Sequence, residues 1–183
     1  MIHPWSLSRS KTEVETKIFT LKTQTLVSPV TGREYDFHML EACGWVNIIP
    51  LTPESDVLLV RQFRHGSREI TLEIPGGLIE EGQTPEETAA RELLEETGFA
   101  APKLTYLGRV RPNPAILNNW CYTYLARDVV QVGEMEPDET EDLELVRVSL
   151  DRIPEMFAQG EINHSLVWAA FVHFYLRELK KQT

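Results

Sequence analysis

Three glutamates crowd one short stretch of the chain, "RELLEETGF" from Arg91 to Phe99, where Glu92, Glu95 and Glu96 stand at i, i+3 and i+4. In a helix of 3.6 residues per turn they share an arc of roughly a hundred degrees. Like charges at that spacing cost an isolated helix about 0.2–0.5 kcal/mol per pair. Oxygen ligands of this kind suit Mg²⁺ or Mn²⁺, and a divalent cation turns their mutual repulsion into attraction. Just upstream, the strand end "EIPGG" places backbone carbonyls near Gly76 beside the same carboxylates. Cations held against a diphosphate polarise it and activate a water, so the chemistry on offer is metal-assisted hydrolysis of linked phosphates. A solvated helical face also explains the charges, and on charge pattern alone it is the commoner case.

The elements that must position these groups are legible in turn. Thr84 as N-cap, Pro85 at the first helical position, Glu87 completing a capping box and Gly98 as the C-terminal stop predict a helix between Thr84 and Gly98. On it Ala89, Ala90, Leu93 and Leu94 lie opposite or beside the acidic arc, which predicts that they bury against a sheet while the carboxylates face a cleft or water. "WVNIIPL" and "DVLLVRQFR", separated by the turn "TPES", are the strongest strand candidates. "EITLEIPGG" is a further strand, stopped by Pro75 and two glycines, and "LTYLGRV", "WCYTYLAR" and "LELVRVS" follow. "PEMFAQG" reads as a short helix, and Asn163 as the cap of a final one, "SLVWAAFVHFYLRELKK". Near the start, after a polar stretch, "TKIFTLKTQTLVSP" and "EYDFHMLEA" alternate around the turn "SPVTGRE" as a β-hairpin. Residues 1–41 therefore form a small β lobe with little core of its own, suited to packing on a second subunit, and residues 42–183 form the main domain. The mixed order of strands and helices predicts a sheet sandwiched between helices, an α/β/α or α+β arrangement.

Composition narrows the functions. A chain of 183 residues with 42% hydrophobic and 25% charged residues is ordinary for a globular fold. Its net charge of −10, from 18 basic and 28 acidic residues, repels a phosphate backbone, and no basic stripe offsets it, so nucleic acid is not the expected partner. Cys43 and Cys121 fit neither a zinc pattern nor a disulfide framework, which suits a reducing cytoplasm. The start "MIHPWSLSRSK" carries no apolar stretch, and the longest apolar run, from Leu166, is too short to span a bilayer, so no membrane partner is expected.

The spacing carries more than the charges do. "GGLIEEGQTPEETAARELLEETGFA" closely resembles the Nudix box, with Gly77, Arg91, Glu92, Leu93, Glu95, Glu96, Gly98 and Phe99 all in register and one departure, Gln83 where the family usually has Glu. The resemblance implies a Nudix α/β/α sandwich, here with the small N-terminal β-hairpin lobe, and metal-dependent hydrolysis of a nucleoside diphosphate linked to another group. It makes Glu92, Glu96 and the Gly76 carbonyl ligands of Mg²⁺ or Mn²⁺. Glu95 is then a further ligand or the partner of Arg91, which orients the carboxylates, while Gly77 and Gly98 shape the box. Gln83 keeps hydrogen-bonding capacity without charge, so a metal role there does not carry over.

Beyond the box, "LLVRQFRHGSREITLEIPGGLIEEGQ" resembles the matching segment of ADP-ribose and nucleotide-sugar pyrophosphatases, which puts Arg64 and Glu73 near the substrate. Pro114, sixteen residues after Gly98, matches a downstream proline of that branch, although "RPNPAILNN" lacks its Ser-Pro-Gly character. The loop "PDETEDLELV" is similar in position to one carrying a catalytic glutamate, so Glu139 and Glu141 are the two candidates for the general base. Trp45 or an aromatic of the N-terminal lobe is the candidate for stacking on the base, although such a Trp is more often a core residue; His38 and His65 receive no role. The expected activity is cleavage of a nucleoside diphosphate sugar, ADP-ribose among them, to a nucleoside monophosphate and a sugar phosphate, by a homodimer. The rivals are a Nudix hydrolase of a dinucleoside polyphosphate, coenzyme A or capped RNA, and a non-catalytic nucleotide sensor.

Overall fold

A computed structural model describes residues 1–181; the last two residues of the expected main domain lie outside the described residues. The strands and helices run in the order β1 (Ser6–Glu15), β2 (Phe19–Val27), β3 (Glu34–Ala42), β4 (Trp45–Leu51), β5 (Asp56–Arg64), β6 (Glu69–Glu73), α1 (Pro85–Thr97), β7 (Phe99–Ala100), β8 (Leu104–Val110), β9 (Cys121–Arg127), β10 (Val130–Gln131), β11 (Leu143–Ser149), α2 (Ile153–Gln159) and α3 (Ser165–Lys181). The contacts gather into two units, Met1–Cys43 with Arg111–Trp120, and Gly44–Val110 with the chain from Cys121 onward.

In the first unit β2 and β3 pair without interruption from Phe19↔Ala42 to Val27↔Glu34, around a turn in which the Gly32 N–H donates to the Ser28 carbonyl at 2.9 Å. This is the expected hairpin. A third strand, β1, pairs along β2 with irregularities after Leu7 and Thr12. It occupies the stretch that reads as a polar start, because every residue in it is exposed and no buried face imposes an apolar alternation. The loop Arg111–Trp120 is bound to β3: the Leu40 N–H donates to the Ile116 carbonyl at 2.7 Å, and the Ala42 N–H to Asn118 Oδ1 at 3.1 Å.

The second unit carries a six-stranded mixed sheet ordered β11-β5-β4-β9-β8, with β6 also paired to β5. β4 and β9 run parallel through seven residue pairs at the centre. β4 is apolar on both faces for a simple reason. Val46 and Ile48 face one way, onto Ala89 and Leu93 of α1. Ile49 and Leu51 face the other way, into a core with Met156 of α2 and Ala170, Phe171 and Phe174 of α3. Helices cover both sides, so the α/β/α sandwich follows from a strand buried on both faces.

Helix α1 begins and ends as its sequence dictates. Thr84 Oγ1 accepts from the Glu87 N–H at 3.2 Å, the Glu87 carboxylate accepts from the Thr84 N–H at 2.9 Å, and Gly98 turns left-handed at φ 73° to close the helix. Its rotation differs from expectation. The buried residues are Thr88, Ala89, Glu92, Leu93, Glu96 and Thr97, whereas Ala90 and Leu94 are exposed. Two carboxylates have thus turned inward where apolar side chains were expected. At α3 the first intrahelical bonds run from Val167 and Trp168 to the His164 carbonyl, so His164 stands at the helix start where the sequence points to Asn163.

Candidate active site

The site is built where the turn after β6 meets α1. Pro75 and Gly77 carbonyls accept from the Ile48 and Val46 N–H groups, each at 2.9 Å, which stitches the turn to β4. Between them the Gly76 N–H donates to Glu96 Oε2 at 3.0 Å, and the Gly76 carbonyl accepts none of the described hydrogen bonds. The two glycines are required by close approach. A Cβ on Gly77 would overlap the Glu92 carboxylate, and one on Gly76 would overlap the Val46 carbonyl of β4. The variants should separate accordingly. Gly77→Ala displaces a flexible side-chain end and should lower kcat by roughly 10²-fold, the cost of misplacing a reacting group by about 1 Å, with a nearly unchanged melting temperature. Gly76→Ala meets backbone and should cost about 1–3 kcal/mol of stability. Thermal melts alongside steady-state kinetics check both, and equal effects of the two substitutions would refute the distinction.

Glu92 is 8% exposed and Glu96 only 2%. Burial, reinforced by neighbouring glutamate charge, pushes the Glu96 carboxyl up to about 8 and the Glu92 carboxyl up to about 7. Glu92 Oε1 receives Arg91 Nη2 at 2.8 Å, and Arg91 Nη1 donates to Glu95 Oε2 at 2.6 Å. Arg91 therefore spans the acidic arc, fixing Glu92 and holding Glu95 at the more exposed edge. Among the described residues Glu96 makes no ion pair, and its hydrogen-bond partner is the Gly76 N–H.

A divalent cation fits this donor set. Among the described residues no three His, Cys, Asp or Glu side chains converge as a complete cage. Mg²⁺ asks for less than that, since it commonly binds through one or two carboxylates, retained waters and substrate phosphates. Two buried carboxylates at a raised pKa, beside an unengaged backbone carbonyl, are oxygen donors whose burial is costly until a cation joins them. Gln83 is committed elsewhere: its Nε2 donates to Glu80 at 3.0 Å and its Oε1 accepts from Thr88 at 2.9 Å.

On β5 and β6, Arg64 Nε and Nη2 each donate to the Glu73 carboxylate at 2.8 Å, and Thr71 Oγ1 donates to the same carboxylate at 2.6 Å. Burial opposes the Glu73 charge, but the Arg64 hydrogen bonds and charge, with Thr71, hold its carboxyl below the ordinary range. The Glu73 hydrogen bonds raise Arg64 in return, and the charges of Glu96 and Glu141 add to that. Glu141 also pushes up both Glu92 and Glu96, so the acidic loop brings it within electrostatic reach of the pair. Glu139 and Glu141 are both exposed, and no described interaction links Glu139 to this group. Trp45, half-buried at the head of β4, is not brought into any described contact with the carboxylates.

Three participants escaped sequence reasoning. Thr71 was detectable, since i and i+2 on a strand share a face and place it beside Glu73. Asn47, whose Nδ2 donates to the Leu166 carbonyl at 3.2 Å, and His164, whose Nε2 lies 3.8 Å from Glu73 Oε2, come from distant elements and leave no local signal.

Fold and site together define a mixed α/β enzyme scaffold in which a capped acidic helix delivers two buried carboxylates to a glycine turn. Residues 45–167 match the NUDIX domain, and the chain belongs to that family as a Nudix hydrolase. It is similar to the ADP-ribose pyrophosphatase of Bacillus subtilis (strain 168), 30% identical over 163 residues, which is 88% of each chain. It is also similar to ADP compounds hydrolase NudE of Escherichia coli (strain K12), 30% identical over 136 residues, or 74% of this chain and 71% of that one. Among solved structures, a crystal structure of ADP compounds hydrolase matches with a TM-score of 0.84 at 25% identity, covering 100% of this chain and 97% of the other.

Proposed function

We propose that this chain is a Mg²⁺- or Mn²⁺-dependent pyrophosphatase that cleaves nucleoside diphosphate sugars, ADP-ribose among them, to a nucleoside monophosphate and a sugar phosphate. The observation that carries the reading is the buried Glu92–Glu96 pair, in which Glu96 makes no ion pair among the described residues. The activities for which the similar proteins are named support ADP compounds as substrates. Glu92, Glu96 and the Gly76 carbonyl would hold the cation, which when bound screens the diphosphate and lowers the pKa of water. Arg91 keeps Glu92 in place. Arg64, locked by Glu73, presents its remaining N–H groups to a phosphate oxygen. Glu141 takes the proton of the attacking water as the new P–O bond forms and the bridging P–O bond breaks, and its place on an exposed loop lets it move with substrate.

Hydrolysis of a panel of ADP-ribose, other nucleotide sugars, dinucleoside polyphosphates, coenzyme A and capped RNA in isotopically labelled water tests the proposal. It should give labelled phosphate on one product of the nucleotide sugars; no turnover of any of them rejects it. Glu141→Gln should lower kcat by roughly 10²–10⁴-fold, the range for loss of a general base, and Glu139→Gln by far less. The reverse order would move the base to Glu139.

The first unit is proposed to complete a homodimer. Trp5, Tyr35 and Phe37 cluster with edge-on rings about one another yet stay more than 40% exposed, an apolar surface suited to a second copy. Sedimentation of the native chain against Trp5→Glu reads this directly, and a monomeric native chain would exclude it. Cys43 and Cys121 are both free thiols, which suits the cytoplasm.

A further inference from the structure

A cleft of about 480 Å³ opens beside the site, between the β5–β6 turn and the start of α3. Arg64, Ser67, Glu69, Thr71, Asn163 and His164 line it. Arg64 and Thr71, both bonded to Glu73, link it to the site. Arg64 reaches it from the Glu73 pair, and the charge of Glu96 is felt at Arg64. Asn47 joins the two regions from behind: its amide holds the Leu166 carbonyl at the start of α3, while Gly76 lies so close that a Cβ would overlap the Asn47 side chain.

The lining is selective. Arg64 spends Nε and Nη2 on Glu73, and its Nη1 carries no described bond, so one edge of a fixed guanidinium faces the cleft. Around it stand a carboxylate, an amide and a hydroxyl, the donors and acceptors that match vicinal hydroxyl groups. No Phe, Tyr or Trp among the described residues lines the cleft, so it offers little for a purine to stack on. Glu69 disfavours a second strongly anionic group deep in the cleft, which leaves room for one phosphate at the Arg64 end only.

We infer that this cleft is the subsite for the sugar-phosphate half of the substrate, with Arg64 on its phosphate and Ser67, Glu69 and Asn163 on the sugar hydroxyls. The inference rests on the nucleotide-sugar reading above, and it assigns specificity among sugars to the β5–β6 turn and the α3 start rather than to the metal-binding helix. His164 closes the wall behind Glu73.

Calorimetric titration of the full chain with ribose 5-phosphate and, separately, with AMP tests it through binding alone. Asn163 and Ser67 are exposed, so Asn163→Ala, which removes a contact, and Ser67→Trp, which fills the cleft, should both fold, as thermal melts will verify. Both should weaken ribose 5-phosphate by roughly tenfold or more, the scale of one or two lost ligand hydrogen bonds, and leave AMP unchanged. Ribose 5-phosphate that binds native and variant chains alike, that fails to bind the native chain, or whose place is taken by a loss of AMP affinity overturns the assignment. Turnover of nucleotide sugars by the native chain is scored separately, so a failure of the reaction reading shows there and not in the titrations.

Discussion

Glu96→Gln should lower hydrolysis of ADP-ribose by roughly 10²–10³-fold or more, the loss expected when one preorganised electrostatic group is deleted, without unfolding the protein. Gln retains an oxygen that can accept the Gly76 N–H, so the 3.0 Å bond to the turn survives. What disappears is a carboxyl group that is 2% exposed and makes no ion pair among the described residues. Burial disfavours its charged form, and a neutral amide carries no such cost, so the melting temperature should hold or rise. Few active-site substitutions separate the two readouts so cleanly. A variant that keeps activity within tenfold of native would remove Glu96 from the reaction, and one that melts much earlier would make it a structural residue. A nucleotide sensor, by contrast, would keep its output in this variant.

Stability of the chelator-treated protein should fall as pH rises. The Glu96 carboxyl is raised from the ordinary 4.5 to about 8 by burial, so between those values the folded state holds a proton that the unfolded state has released. The slope of unfolding free energy against pH follows the protons bound by the unfolded state minus those bound by the folded state, and here it is negative. The contribution is fully present below about pH 4.5 and is lost by about pH 8. At 1.36 kcal/mol per pKa unit it amounts to a few kcal/mol, in order of magnitude. Glu92, raised to about 7, adds a smaller part over a narrower window. Glu73 runs the other way: its lowered pKa supplies stability above the ordinary carboxylate range that is lost as pH falls through the folded value. A divalent cation favours the ionised carboxylates, so the gain in melting temperature on adding Mg²⁺ should be larger at pH 8 than at pH 5. Glu96→Gln should flatten the chelator curve and shrink the Mg²⁺ gain. Melts across this range, with and without Mg²⁺, decide the matter; a chelated native protein that grows more stable toward pH 8 would contradict it.

The caps of α1 are legible in the sequence alone. Thr84, Pro85, Glu87 and Gly98 act through neighbours three or four residues away, and their bonds form as that spacing dictates. The six main strand segments of the sheet could be found for a related reason, because each must fill a core and so carries a run or alternation of apolar residues. Where burial imposed no pattern, the sequence was silent. β1 is exposed along its length and reads as polar coil, and the loop Arg111–Trp120 shows no sign that it will be gathered with residues far upstream. The face of α1 was misjudged by the same logic, since a rule that sends apolar residues inward cannot foresee Glu92 and Glu96 buried while Leu94 is exposed.

By itself, then, the sequence determined the family, the acidic helix and the identity of its carboxylates, because those depend on residue type and short-range spacing. Only the tertiary structure decided how those groups are used. Burial, a long-range quantity, raised two carboxyl pKa values and left Glu96 with no ion pair among the described residues. Contacts across the fold brought Glu141 within electrostatic reach of the pair, locked Arg64 on Glu73, and brought Asn47 and His164 alongside them. Electrostatic energy depends on distance and dielectric surroundings, and neither is written along a chain until the chain has folded.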